Sequence, residues 1–264
     1  MTDDSDRSSG SSATDKKRAT ATSFGAAADS YLDSDVHRQG ADLDQLASWC
    51  ADATSALDVA TGAGHTAGAI VLEGVPEVVA ADVSRSMVTT AEREFTGVVG
   101  VVADAERLPF ADDSFDAVSC RIAAHHFPDP KRFVAEVSRV LVPGGTFAFE
   151  DNVVPEDEAL GSFINRVDEL RDPTHIEAYT TAQWHEWIAH QGFIIEETLH
   201  LTRTVPFDQW IETQSLPPRE RERVERLLLN ASDEAVKIFD IQTDGETVSS
   251  FSNWKALIRA TNRS

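Results

Sequence analysis

The sequence predicts a doubly wound α/β fold, a mostly parallel sheet with helices on both faces. Three observations lead there. Between residues 55 and 152, short apolar runs alternate with amphipathic stretches. The first run gives way to a turn of small residues in "ALDVATGAGHTAGAI", residues 56–70. The next two runs are closed by carboxylates, Asp82 and Asp104. Parallel neighbours cannot be joined by a tight hairpin, so strands alternating with helical crossovers make a parallel sheet covered on both sides.

Residues 1–22 are rich in Ser, Thr, Asp and Gly and read as a disordered tail. From 24 to 50, apolar residues recur at helical spacing, which predicts one or two N-terminal helices broken at Gly40. Strands are expected at 56–60, 77–82, 98–102, 115–120 and 146–151, and helices near 66–73, 85–94 and 130–141. "PGG" at 143–145 suits a helix stop before the fifth strand, since proline bars continuation and glycine permits positive φ. The last third reads as helices over 158–171, 181–191, 206–214 and 218–229. Two further strands, 193–204 and 251–260, look like a terminal pair closing the sheet. No internal repeat is visible. Residues 23–264 are therefore expected to form one domain: N-terminal helices at 24–50, a core at 55–152, a variable helical region at 153–250 and a last strand at 251–260.

With 264 residues and 41% hydrophobic content, the chain can bury a substantial core. No apolar run approaches the roughly 20 residues of a membrane span. The opening stretch lacks the apolar centre of a signal peptide, so a cytoplasmic location is expected. Cys50 and Cys120 form no CxxC pair, which argues against a disulfide framework or thiolate metal site. No His, Asp or Glu cluster has metal-ligand spacing, and no metal is expected. The charge is the unusual quantity: 45 acidic against 23 basic residues give −22, and only five of the basic residues are lysine. Such a surface repels nucleic acid and anionic lipid. Because the excess is spread along the whole chain, it is read as a solvated, halophilic surface suited to a very salty cytoplasm.

Gly62, Gly64 and Ala67 fit the G-x-G-x-x-G/A fingerprint between a strand and a helix. Absent side chains let backbone N–H groups approach a ligand, and the following helix N-terminus favours a negative group. Asp82 lies 20 residues after Gly62, where a carboxylate accepts hydrogen bonds from ribose hydroxyls. To this point NAD and a nucleoside-bearing sulfonium fit equally. Asp58, inside the first strand, would repel a pyrophosphate but suits a cofactor with an amino group and a sulfonium. Asp104 can accept from an adenine amino group while the Ala105 backbone N–H donates to the ring.

"LDVATGAGHTAGAI", "VVAADVSRSM", "VVADAERLPFADDSFDAVSCRIAAHHFPDP" and "EVSRVLVPGGTFAFEDNVVPED" together resemble the successive motifs of class I S-adenosylmethionine (SAM)-dependent methyltransferases. The branch is the one containing quinone C-methyltransferases and many small-molecule methyltransferases. The resemblance runs from about residue 24 to 155 and fades from 156 onward. It implies a Rossmann-like, seven-stranded sheet whose last strand is antiparallel. It also implies SAM as cofactor, with S-adenosylhomocysteine (SAH) as product. Ala60, Thr61, Gly62, Ala63 and Gly64 would hold the methionine part. Asp82, with Val83 and Met87 beside it, would hold the ribose, and Asp104 with Ala105 the adenine. The loop reads Ala-Thr-Gly-Ala-Gly where many members have Gly-Cys-Gly-Thr-Gly. Phe24 and Tyr31 resemble aromatic positions of a helix that lids the SAM site in this branch, where an aromatic face over a sulfonium is worth roughly 0.5–2 kcal/mol; the alternative is ordinary helix packing.

Methyl transfer is an in-line displacement in which alignment can supply roughly 7–11 kcal/mol, so an obligatory catalytic side chain is not required. His125 and His126, after the fourth strand, are candidates for a general base or for shaping the pocket. Arg121 is expected to bind cofactor or acceptor. Asp151 and Asn152 either face the acceptor or begin a turn. Trp184, Trp187 and Trp210 are core residues or the wall of an apolar acceptor pocket. His37 reads as an ordinary surface or core histidine, and "RERERVER" at 219–226 as a solvated helix face. The expected function is SAM-dependent methylation of a small molecule, with a quinone-like acceptor as what resemblance to that branch implies. The alternatives are an NAD-dependent oxidoreductase and a SAM- or SAH-binding module without turnover. Nucleic-acid acceptors are disfavoured, because "CRIAAHHF" replaces the Asn/Asp-Pro-Pro-aromatic element after strand four. The acidity carries its own prediction: the melting temperature rises with molar salt and structure is lost as salt is removed, whereas a salt-indifferent melt refutes the halophilic reading.

Overall fold

The computed structural model describes residues 12–26, 40–212, 214 and 216–263; Tyr31 and His37 fall outside them. Helices α1 (Ala13–Ala26) and α2 (Ala41–Ser48) precede the sheet. The first half of the core is β1 (Ser55–Val59), α3 (His65–Leu72), β2 (Glu77–Asp82), α4 (Arg85–Glu94) and β3 (Val98–Val102). The second half is β4 (Phe115–Arg121), a 3-10 turn at Ala124–His126, α5 (Pro130–Val140) and β5 (Leu141–Val154). Next come α6 (Glu158–Arg171), β6 (Tyr179–Thr180), α7 (Thr181–His190) and β7 (Phe193–Pro206). The remainder is α8 (Phe207–Glu212), α9 (Pro218–Leu229), α10 (Asp233–Ile238), β8 (Gln242–Asp244) and β9 (Thr247–Asn262).

The sheet runs β3-β2-β1-β4-β5-β9-β7, with short β6 beside β5 and β8 beside β9. Strands β1 to β5 are parallel neighbours, and β9 is antiparallel to both β5 and β7. The expected mostly parallel sheet and terminal pair are therefore present, with β9 inside and β7 at the margin. Winding reverses between β1 and β4, and at such a switch point the loops leaving the strand ends diverge and open a crevice. Alternate side chains serve opposite faces, as the two-residue period of a strand requires. Leu57, Val59, Phe147, Phe149 and Ile258 enter one apolar cluster with Phe133 and Trp184. Ala56, Ala148 and Leu257 enter another with Leu46, Trp49 and Ile70. A third cluster joins α6, α8, α9 and α10 to Phe251 of β9.

Several elements depart from expectation. Residues 13–22, assigned to the tail, belong to α1. Ser12 Oγ accepts the Asp15 N–H at 3.2 Å and donates to its carboxylate at 2.7 Å, which starts the helix, and Ala, Lys and Arg propagate it. β1 stops at Val59 because Ala60 turns to φ 54°. β5 begins five residues before the expected 146. Its register with β4 jumps from Phe115 opposite Leu141 to Ala117 opposite Thr146, so Pro143–Gly145 bulge outward. β6 and β8, two and three residues long, are too short to show an alternation.

Four charges meet where α2 joins the sheet, with Arg121, Glu150 and Lys255 buried and Asp42 half-buried at the edge. Arg121 lies 2.7 Å from Asp42 and 2.8 Å from Glu150, and Lys255 lies 2.8 Å from Glu150 and 3.3 Å from Asp42. Burial raises the Asp42 carboxyl, but Lys255 and Arg121 more than offset it and hold it well below the usual range. For Glu150, completely inaccessible, burial wins and the pKa is raised despite the same two cations. Removing one member of such a set strands a buried charge, which costs about 3–5 kcal/mol. Lys255→Met is accordingly expected to lower unfolding free energy by that order, measured by denaturant titration; a loss below about 1 kcal/mol would mean that water already screens the cluster.

Candidate active site

The crevice at the switch point is a cavity of about 1060 Å³, counting its open mouth. Its floor is the loop after β1, and its walls are the ends of β2, β3 and β4. Ala60 and Gly62 both have φ 54°, and Gly64 has φ 96°. Ala60, where the family often has glycine, thus adopts a left-handed conformation that costs a non-glycine residue roughly 1–2 kcal/mol. Across the crevice Ile122, a β-branched residue, sits at φ 53° directly after β4. Both residues line the cavity, one on each side of the switch point. Gly62 and Gly64 serve different needs. A Cβ on Gly62 would meet no protein atom within 4 Å, so the room it leaves lies on the cavity side; a Cβ on Gly64 would come within 2.6 Å of Ala91 Cβ on α4.

Asp58 does not line the cavity, which corrects its assignment to the cofactor. It is buried beneath the loop. Its carboxylate accepts from Thr61 Oγ1 at 2.6 Å, Ser119 Oγ at 2.7 Å and the Ala67 backbone N–H. Burial pushes its pKa up to about 6 against the pull of these donors. Its work is to fasten the loop to β4 and to the first turn of α3.

Ala60, Thr61, Gly62, Ala63, Asp82, Val83, Met87, Asp104 and Ala105 do come together around the cavity, whereas Gly64 stands just behind the loop. Asp82 accepts the Gly62 N–H at 3.0 Å and the Ser84 N–H at 2.8 Å, and burial raises its pKa. A carboxylate has about four acceptor positions, so two remain for hydroxyl groups of a ligand. Asp104 Oδ1 accepts the Glu106 N–H at 3.0 Å, and its other oxygen lies 2.7 Å from Lys17 Nζ. Lys17 also pairs with Glu106 at 2.5 Å. Lys17, Thr20 and Phe24 are the cavity-facing residues of α1, so the helix forms the lid. Lys17, Thr20 and Glu106 are site residues that sequence reasoning missed. No local signal marks Lys17, since Lys16 beside it is exposed and the carboxylates that Lys17 meets lie far along the chain. Tyr31 lies outside the described residues.

Arg121 lines the cavity, yet its guanidinium is held by Asp42 and Glu150. The two histidines separate. His125 Nδ1 lies 2.6 Å from Asp151 Oδ1 and its backbone N–H donates to Asp151 Oδ2 at 2.8 Å, which locks it beneath the site. Burial lowers its pKa, but the Asp151 charge and hydrogen bond outweigh that and raise it overall. His126 faces the cavity, with Nδ1 2.9 Å from the Thr174 carbonyl and Phe24 edge-on at 4.9 Å. Asp151 is therefore a partner of His125 and not an acceptor contact. Trp184 packs on Phe149 and Tyr179, Trp187 on Trp184, and Trp210 on Phe251, so none of them walls the cavity. Among the described residues, no His, Cys, Asp or Glu group is arranged to hold a metal ion.

The strand order, the antiparallel β9 and the acidic strand tips over a glycine-bearing loop define a Rossmann-like methyltransferase. A family model described as a methyltransferase domain matches residues 57–149. YcgJ of Bacillus subtilis, named as an uncharacterised methyltransferase, is 34% identical over 227 residues, which are 83% of this chain and 89% of the relative. Its crystal structure superimposes with a TM-score of 0.78 at 32% identity, over 84% of this chain and 98% of that one. A Bacillus halodurans protein assigned as a methyltransferase gives 0.81 at 33% identity, over 85% and 100%. The chain belongs to the methyltransferase family. Its donor set fits SAM: Asp82 has acceptor capacity to spare for ribose, and Gly62 leaves room beside its own N–H. Asp82→Ala is expected to abolish SAM binding in isothermal titration while cooperative melting persists; undiminished affinity would place the ribose elsewhere.

Proposed function

We propose that this protein transfers a methyl group from SAM to a small molecule. The observation that carries the reading is the lidded crevice in which Asp82, Asp104 and the β1 loop converge under Lys17 and Phe24. Bound there, SAM supplies a methyl group activated by a sulfonium leaving group. The chain's own contribution is alignment. Asp82 would orient the ribose and Asp104 the adenine, the loop at 60–64 would hold the amino-acid arm, and α1 would exclude water. Fixing two reactants in line is a large share of the catalysis such a reaction needs.

A planar, apolar, quinone-like acceptor is the finer reading. Phe24, Ile122, Phe127 and Pro128 offer it an apolar surface. The demethylmenaquinone methyltransferase of Clavibacter sepedonicus is 42% identical over 92 residues, although these are only 34% of this chain and 37% of that enzyme. Among the described residues no helix is long and apolar enough to cross a membrane. Incubation with methyl-labelled SAM and a metabolite extract is expected to yield a labelled small molecule. SAM binding without label transfer would identify a binding module, and NAD binding without SAM binding would refute the reading altogether.

A further inference from the structure

We infer that His126 takes a proton from the acceptor during methyl transfer, and that the acceptor therefore carries an aromatic or enolic hydroxyl group. The inference rests on the methyl-transfer reading above and deepens it. The two adjacent histidines have the same sequence credentials, and the structure gives them opposite tasks. His125 is pinned through both its ring Nδ1 and its backbone N–H to Asp151 and does not line the cavity. His126 lines the cavity beside Phe24, Ile122 and Phe127.

The proton on His126 is fixed by what Nδ1 touches. A carbonyl oxygen can only accept, so Nδ1, at 2.9 Å from the Thr174 carbonyl, must carry the hydrogen. In the neutral ring Nε2 is then a bare lone pair. Nε2 points away from Thr174 and makes no hydrogen bond to a described residue. His126 is thus an oriented acceptor on an otherwise apolar part of the wall, which fits a hydroxyl on a planar ring.

Its surroundings keep it neutral. The His125 ring lies 4.1 Å away and the His175 ring 6.5 Å away. Asp151 and Asp172 face the pair from β5 and from the segment after α6, while α1 contributes the uncharged Phe24. Burial and the positive charge favoured on His125 outweigh the carboxylates and lower the His126 pKa to about 4. A weak base suffices here. As the hydroxyl oxygen bonds to the methyl carbon it becomes cationic, and its proton becomes strongly acidic. The carbon–sulfur bond breaks with its electron pair on sulfur, and the oxygen's proton passes to His126 Nε2. The products are a neutral thioether, a neutral methyl ether and an imidazolium that returns its proton to water. If the ring carbon conjugated to the hydroxyl is methylated instead, the same base takes the hydroxyl proton as the carbon–carbon bond forms, leaving a neutral dienone; the imidazolium then returns that proton to the oxygen as the ring proton leaves to water, which restores the aromatic hydroxyl compound.

His126→Asn tests this, because an asparagine amide can still donate to the Thr174 carbonyl but has no base where Nε2 stood. Label transfer from SAM into the metabolite extract is expected to fall by about 10²–10⁴-fold, with SAM affinity and melting temperature unchanged. A second arm needs no turnover: long-range ¹H–¹⁵N NMR of the SAH complex should show His126 protonated on Nδ1 alone, with Nε2 shifting on addition of 1-naphthol. Full transfer by His126→Asn, an Nε2–H tautomer, or a naphthol-insensitive Nε2 each overturns the proposal. Failure of the wild-type protein to transfer label to anything refutes the methyltransferase reading instead, and is distinguished by the NMR arm.

Discussion

One buried carboxylate gives the cavity its floor. Asp58 gathers a side-chain hydroxyl from the loop, another from β4 and a backbone N–H from α3. A charge-assisted hydrogen bond is about twice as strong as a neutral one, and here three of them act on a turn with almost no side chains to pack. Gly62 and Gly64 take up their left-handed conformations freely, whereas that of Ala60 is unfavourable and persists because the anchor beneath the loop leaves the backbone no alternative. Everything above depends on that shape: the Gly62 N–H presented to Asp82, and through Asp82 the direction of its remaining lone pairs.

A second set of buried charges does for the far wall what Asp58 does for the floor. Arg121 reaches the cavity only with its flank, because Asp42 and Glu150 claim its guanidinium and Lys255 completes the set. Helix α2 and strands β4, β5 and β9 are fixed to one another at that point. The His125–Asp151 pair is the neighbouring tie, between the turn after β4 and β5. These polar contacts are specific in a way that apolar packing is not, and they lie around the crevice, where small displacements matter most.

Much of this was legible in the sequence. α4, α6 and α9 fall on the expected residues because their starts are written locally, as Ser84, Asp157 and a proline at 218. The parallel sheet and its terminal pair were readable from the alternation of apolar runs and helical stretches, whereas the spatial order of the strands was not. What could not be read was the destination of groups whose partners are remote. Asp58 stood out as an acid in a buried strand, but Ser119, which takes one of its oxygens, is 61 residues away. The two histidines were visible as a pair, yet their division of labour is set by Asp151 and Thr174, 26 and 48 residues on. α1 was hidden by the Ser- and Asp-rich run before it, and its anchor, Lys17, finds its carboxylates 87 and 89 residues later.

The placement of β9 has a consequence for how the molecule is built. It follows β7 in the chain but lies between β5 and β7. As the polypeptide leaves the ribosome, β1 to β5 can assemble early, yet the outer edge of β5 stays bare for almost a hundred residues. Until 247–262 emerge, that edge is an apolar ribbon with unsatisfied peptide groups, the kind of surface on which chains stick to one another. Helix α6, made at the start of the interval, packs with Val154 of β5, so the segment between the two strands also shelters part of the nascent sheet.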